Sequence, residues 1–397
     1  MTSPIYSLPL ELINAIIDEI YNDSDTKSAR RLTPKSCDLV SRIFVNGTRE
    51  HLFREIKIRS NLQCQMLLAR SFTTSLVITW TFRRGPGRLT STLTDLPSII
   101  DVLHNVNKIK LIGMRWISLS RNFIDSLASR SFISITLVCV HFTDSNAFYS
   151  FLSHSPNLRE FSRLMTVIDN NNCPPFSASF DISHRPHITG LCLHKTNQIA
   201  EIILSPSLSP MILDRLHVLD VLLEQDHHFD LAGPFIDLAT QSLEALHISQ
   251  FNRPPPDRLE YLPIQRLRSI TIEMMDDHPS RLPIQLGIFD WWIGHFETFS
   301  DLQCSSVHFL VRVPSYEVEA SADYTAWKKL DISLSRSSVR SLVVDPFISK
   351  IIRNVPSETS PIKVVIEENL PILIGCKIAH VQVGTYNNDR NFIVDHQ

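Results

Sequence analysis

An apolar triplet that keeps returning along the chain constrains its fold more than any other feature. The pattern is apolar, two residues, apolar, one residue, apolar. It runs through Val106, Ile109 and Leu111; Phe132, Ile135 and Leu137; Leu158 and Phe161; and Ile188, Leu191 and Leu193. It continues through Leu213, Leu216 and Val218; Leu243, Leu246 and Ile248; and Leu267, Ile270 and Ile272. Successive starts are separated by 26, 26, 30, 25, 30 and 24 residues. The last two members of each triplet lie two apart, the spacing that puts both side chains on one face of a pleated strand. A short strand with one apolar face cannot bury that face alone, so its recurrence implies stacking of repeats.

Helical spacing fills the intervals. Asn122 to Ala128 carries Phe123, Ile124 and Leu127; Asn146 to Leu152 carries Phe148, Phe151 and Leu152; Phe235 to Leu238 is a weaker instance. A strand, a turn and a helix per repeat predict an α/β fold. Its form is an irregular leucine-rich-repeat-like solenoid with right-handed crossovers and a parallel, curved sheet. The asparagine that follows the triplet in strict leucine-rich repeats is mostly missing. Past residue 275 the rhythm loosens. Phe289 to Ile293 reads as an aromatic-anchored helix. The pairs Val307 and Phe309, Leu330 and Ile332, and Leu342 and Val344 read as further strands, and Lys363 to Ile366 with Ile378 to Val383 as two last strands or an edge hairpin.

Composition fits such an array. Apolar residues make up 43% and charged residues 20% of the 397, a folding chain. Twenty-three prolines against 10 glycines suit repeated helix stops and argue against glycine-rich phosphate loops. The net charge of -3 gives no electrostatic case for nucleic acid or an anionic membrane. Seven cysteines, odd in number and without a CxxC pair, read as reduced thiols of the cytoplasm or nucleus. No apolar run approaches the ~18 residues of a membrane span, and Met1 to Ile20 makes a poor signal peptide.

The first 58 residues follow a different pattern. Ser7 caps a helix in which Leu12, Ile13, Ile16, Ile17 and Ile20 recur at helical spacing. After a polar stretch from Asn22 to Arg31, a second helix carries Cys37, Leu39, Val40 and Phe44, and a third spans Thr48 to Phe53. Ile56 and Ile58 begin a strand. The strings LPLELINAIIDEI, KSCDLVSRIF and REHLFREIKI, in that order, resemble the F-box motif. More narrowly, they are similar to fungal, basidiomycete-type F-box proteins with leucine-rich C-terminal regions. Phe44 stands where many F-boxes have tryptophan, and the spacer before Lys35 is longer than in compact F-boxes.

The resemblance implies a domain at residues 1–58 and the solenoid at 59–397, with its clearest repeats at 106–275. It implies docking to the Skp-family adaptor of a cullin–RING ubiquitin ligase through Leu8, Pro9, Leu12, Ile16, Ile17, Leu39, Val40 and Phe44. A unit this small cannot bury all of its own apolar residues, which agrees with an interface role. The same helices could instead cap the N-terminal end of the array.

Catalytic signatures are missing. The chain has no GxxxxGK[ST] loop, no GxGxxG after a strand, no GxSxG elbow and no HExxH. His227 and His228, beside Asp226 and Asp230, invite a metal reading, but adjacent side chains diverge and a solvated loop is expected. The expectation is a non-enzymatic protein without cofactor or metal. A hydrolase would need convergent titratable groups in a concave pocket.

Stacked strands should align the residue between the last two triplet members into a column. That column reads Lys110, Thr136, Ser162, Cys192, His217, His247 and Thr271. A neighbouring column reads Lys108, Ser134, Glu160, Gly190, Arg215, Ala245 and Ser269. Such mixed, near-neutral columns suit an unidentified client protein better than a phosphate backbone.

Overall fold

The structure is a computed structural model. It describes residues 55–58, 75–79, 105–168, 185–194, 197–205, 209–223, 226–251, 261–275, 286–299, 302–312, 325–348, 361–381 and 384–385. The adaptor-facing positions Leu8, Pro9, Leu12, Ile16, Ile17, Leu39, Val40 and Phe44 lie outside the described residues. The fold is α/β with parallel strand pairing throughout the described ladders. The chain divides into two units. The first comprises residues 1–158 and 166–180, and the second residues 159–165 and 181–397.

In the first unit β1 (Glu55–Ile58), β2 (Ser75–Thr79), β3 (Lys108–Ile112) and β4 (Ser134–Val138) pair in sequence order. The triplet residues Ile109, Leu111, Ile135 and Leu137 are buried, as the alternation predicts. Helix α1 (Arg121–Ala128) starts where the Ser120 hydroxyl accepts the Phe123 N–H, and α2 (Ser145–Ser153) where Asp144 accepts the Ala147 N–H at 2.8 Å. Both are side-chain caps of the usual kind.

Between residues 106 and 168 the repeat keeps a strict spacing of 26 that reaches beyond the triplets. Gly113, Cys139 and Met165 each follow a strand and each adopt positive φ, at 68°, 51° and 51°. Trp116, Phe142 and Ile168 are all buried. Just before them, Arg115 bridges His141, and β5 (His141–Phe142) pairs with β7 (Val167–Ile168) in a second, two-stranded sheet. Phe142 sits at the centre of an aromatic cluster, 4.6 Å from Trp116 and 5.3 Å from Phe148, ring centre to ring centre.

The second unit carries β6 (Glu160–Leu164), β8 (Gly190–His194), β9 (Val218–Leu223), β10 (Ala245–Phe251), β11 (Ser269–Met275), β12 (Ser306–Arg312), β13 (Ser341–Ile348) and β14 (Ala379–Val381). These pair in that order, and β15 (Gly384–Thr385) joins β13. Parallel neighbours need crossovers. Four of them contain α3 (Asn197–Leu204), α4 (Asp226–Leu238), α5 (Leu286–Thr298) and α6 (Thr325–Ser335). Helices α7 (Pro361–Glu368) and α8 (Pro371–Gly375) precede β14. Buried Asp331 of α6 accepts the N–H groups of Ile372 and Leu373 at 3.0 and 2.9 Å, capping α8 from outside its own chain segment.

Three sequence expectations are corrected. Leu330 and Ile332 are helical, because Trp327, Leu330 and Leu334 recur at helical spacing and are all sealed, while Ile332 is exposed. Lys363 to Ile366 is also helical: Pro361 supplies an N-terminal helix position, Ile366 is buried and Val364 is exposed. His227 and His228 lie in α4, not in a loop. His228, Ala232, Phe235 and Ile236 form its buried stripe. Among the described residues, no helix is long and apolar enough to cross a membrane.

Candidate functional site

The second unit's sheet has two unlike faces. One presents Phe161, Leu191, Leu219, Leu246, Ile270, Val307 and Leu342, none more than 2% exposed. Phe309, two residues on from Val307, stacks on Phe289 of α5 and meets Trp327 of α6 edge-on, which places helices on this side. The other face is polar. Cα partners across the ladder align Ser162, Cys192, Asp220, His247, Thr271, His308 and Val343 into one row. Two residues further along each strand, Leu222, Ser249, Glu273, Leu310 and Asp345 form a second row, and His194 lies two residues on from Cys192.

The middle of this face holds a buried polar cluster. Asp220 is its hub: His194 Nε2 lies 2.9 Å from Asp220 Oδ1, and His247 Nδ1 lies 3.5 Å from the same oxygen. His247 Nε2 lies 3.6 Å from Glu273 Oε2, which accepts a hydrogen bond from the Ser249 hydroxyl at 2.6 Å. The Cys192 thiol is hydrogen-bonded to Asp220 and Ser162. His194, Asp220, Ser249 and Glu273 are all buried. A buried carboxylate is costly unless it is paired, and here each carboxylate meets an imidazole or a hydroxyl.

The electrostatics follow from burial and this pairing. Burial pushes the Cys192 thiol well above its ordinary range, and the Asp220 carboxylate pushes it further. Burial alone would raise Asp220; the charges of His247 and His194, with hydrogen bonds from His194 and Cys192, outweigh it and leave Asp220 below its ordinary value. Burial alone would lower His247, but the Asp220 charge, with the hydrogen bond and charge of Glu273, raises it. A thiol held in its protonated form is a poor nucleophile. The donor atoms of Cys192, His194 and Asp220 all lie within 4.8 Å of one another, close enough for one metal ion.

His295 shows what a buried histidine looks like without carboxylates. Its Nδ1–H donates to the Trp291 carbonyl at 2.8 Å, and its Nε2 accepts the Leu262 N–H at 2.8 Å. Both nitrogens are satisfied in the neutral ring, and a second proton would oppose the Leu262 N–H. Burial, against the hydrogen bond to Trp291, lowers His295 to about 4. Arg163 is a further buried group, in the apolar row of β6, and burial pulls its guanidinium well below its usual range.

The column read from the sequence is found in part. Lys110 and Thr136 are Cα partners in the first unit, both half-buried. Ser162, Cys192, His247 and Thr271 share one row in the second. His217 does not belong to it. It precedes β9, half-exposed and 4.0 Å from Glu244, and Asp220 occupies its place; in the neighbouring column Val218 replaces Arg215. The cause is a triplet that fits twice. Leu216, Leu219 and Val221 match the pattern as well as Leu213, Leu216 and Val218 do, and Leu219 is the more deeply buried strand residue. Starting from Leu216 turns gaps of 25 and 30 into 28 and 27, so evenness of spacing was the available signal. Asp220, His194, Ser249 and Glu273 were missed through this shift and through the second row. The chain matches no protein-family model and no curated protein.

Proposed function

We propose that the chain is a non-enzymatic interaction protein. In this reading it is the substrate-receptor subunit of a Skp–cullin–F-box ubiquitin ligase, built as an F-box followed by a leucine-rich-repeat-like solenoid. Residues 1–58 dock the Skp-family adaptor, and the polar face of the sheet receives a client protein. One observation supports the receptor half of this reading. The apolar row is sealed, while Ser162, Thr271 and His308 opposite it keep partial solvent access, and the described residues of that face include no row of lysine or arginine. Stacked repeats offer extended surfaces to partners, and here the accessible positions flank the buried cluster, Ser162 on one side and Thr271 and His308 on the other.

The test is capture of a purified Skp-family adaptor by the full-length chain. Wild type should retain it, and Leu12→Asp or Ile16→Asp should abolish capture while circular dichroism stays unchanged. Retention by both variants would count against the docking surface. Phe44 and the long polar spacer favour a second reading, a scaffold whose F-box no longer grips the adaptor. Its signature is a folded wild-type chain that captures no adaptor.

A further inference from the structure

We propose that Cys192, His194, Asp220 and His247 form a binding site for a zinc-type divalent cation that ties β8, β9 and β10 together. The geometry carries this. Cys192 and His194 lie two apart on one strand and so share a face. Asp220 and His247 join them from the next two strands in register. Three of the donor atoms already lie within 4.8 Å of one another, and His247 Nδ1 lies 3.5 Å from the Asp220 oxygen.

The donor set selects the cation. One sulfur and two imidazoles suit a borderline-soft metal and not calcium or magnesium, which take oxygen ligands. A thiolate and a carboxylate among the ligands balance a divalent charge, and the one buried carboxylate beyond them, Glu273, is held by the Ser249 hydroxyl. Four protein donors close a tetrahedral shell, which makes the site structural and leaves no open position for catalysis. Glu273 completes the arrangement. It faces the other nitrogen of His247 and is itself fixed by Ser249, the carboxylate–histidine–metal pattern that orients a ligand. Metal entry displaces the Cys192 thiol proton to solvent, and a proton from His247 where it carries one, so affinity rises with pH.

The test uses the full-length chain, stripped with a chelator and titrated with Zn²⁺ and then with Co²⁺ as an optical probe. One equivalent should bind, with the visible absorption of tetrahedral Co²⁺ and a thiolate-to-metal band in the near ultraviolet. Cys192→Ser should lose the thiolate band and Cys304→Ser should keep it. Glu273→Gln should keep the stoichiometry and lose roughly 10–100-fold in affinity, the usual cost of removing a ligand's outer partner. Sub-stoichiometric binding by wild type, or an undiminished thiolate band in Cys192→Ser, overturns the proposal. Should the variants misfold, X-ray absorption on the zinc-loaded wild type decides it. One sulfur at about 2.3 Å with three lighter donors at about 2.0–2.1 Å is expected, and a shell with no sulfur, or with more than one, refutes the assignment.

Discussion

The stretch from residue 106 to 168 and the stretch from 188 to 275 are built from the same strand pattern and treat its polar side differently. The first holds a strict spacing of 26, with a positive-φ turn, a bridge residue and a buried apolar side chain repeated in phase. The second spaces its strands at 28, 27 and 24, counting from Ile188 with Leu216 as the third repeat's start, and buries Cys192, His194, Asp220, Ser249 and Glu273 on its polar side. A strict period lets apolar side chains at equivalent positions seat on one another, so stability there rests on packing. Where the period varies, side chains of different chemistry come into register, and the buried groups must satisfy each other.

The largest expected effect lies in the regular stretch. Phe142→Ala empties the centre of its aromatic cluster and should cost about 3–5 kcal/mol in chemical denaturation. A cost below ~1 kcal/mol would remove packing as the basis of the comparison. Next, with chelator present, Asp220→Ala leaves two imidazoles and a thiol without their hub and should cost about 3 kcal/mol, as removal of one member of a buried pair does. Thr136→Ala, at the corresponding position of the regular stretch, should stay within ~0.5 kcal/mol. Equal costs for these two would erase the distinction between the stretches.

Acid should separate carboxylate-paired histidines from His295. The folded chain holds His295 neutral down to about 4, whereas the unfolded chain takes up that proton near 6.5. Its contribution is therefore complete above 6.5 and is lost as pH falls toward 4, by roughly 3 kcal/mol over the window. His295→Gln should flatten that part of the stability profile, and an identical slope in wild type and variant would contradict the buried neutral ring. The smallest effect is a gain. Met165→Gly relieves a positive φ and should stabilise by about 1 kcal/mol; a loss of stability would show that the exposed Met165 side chain contributes more than the turn strain.

Much of the fold was legible because period-two burial marks strands without reference to their neighbours. Ile109 with Leu111, Leu246 with Ile248, and Val307 with Phe309 all fell where alternation put them. Helices α6 and α7 were misread because two apolar residues separated by one also occur on a helix, one on its buried stripe and one exposed, and only Trp327 or Leu370 further away breaks the tie. The candidate site was legible in half. Cys192 and His247 stood in the column, but Asp220 depends on register, which is a property of two strands together, and a slip of three residues hid it. Ser249 and Glu273 required the second row, which the triplets do not mark.

Register across β8 and β9 is the point on which the polar cluster stands, and crosslinking reads it directly. Neighbouring strands lie about 4.8 Å apart, within the roughly 4.4–6.8 Å Cα separation that a disulfide spans. Under mild oxidation of the metal-free protein, Asp220→Cys should form a bond to Cys192, detected as a linked peptide by mass spectrometry. His217→Cys should leave Cys192 unlinked. A Cys192 link in His217→Cys together with none in Asp220→Cys would place His217 in the row and dissolve the cluster around Asp220.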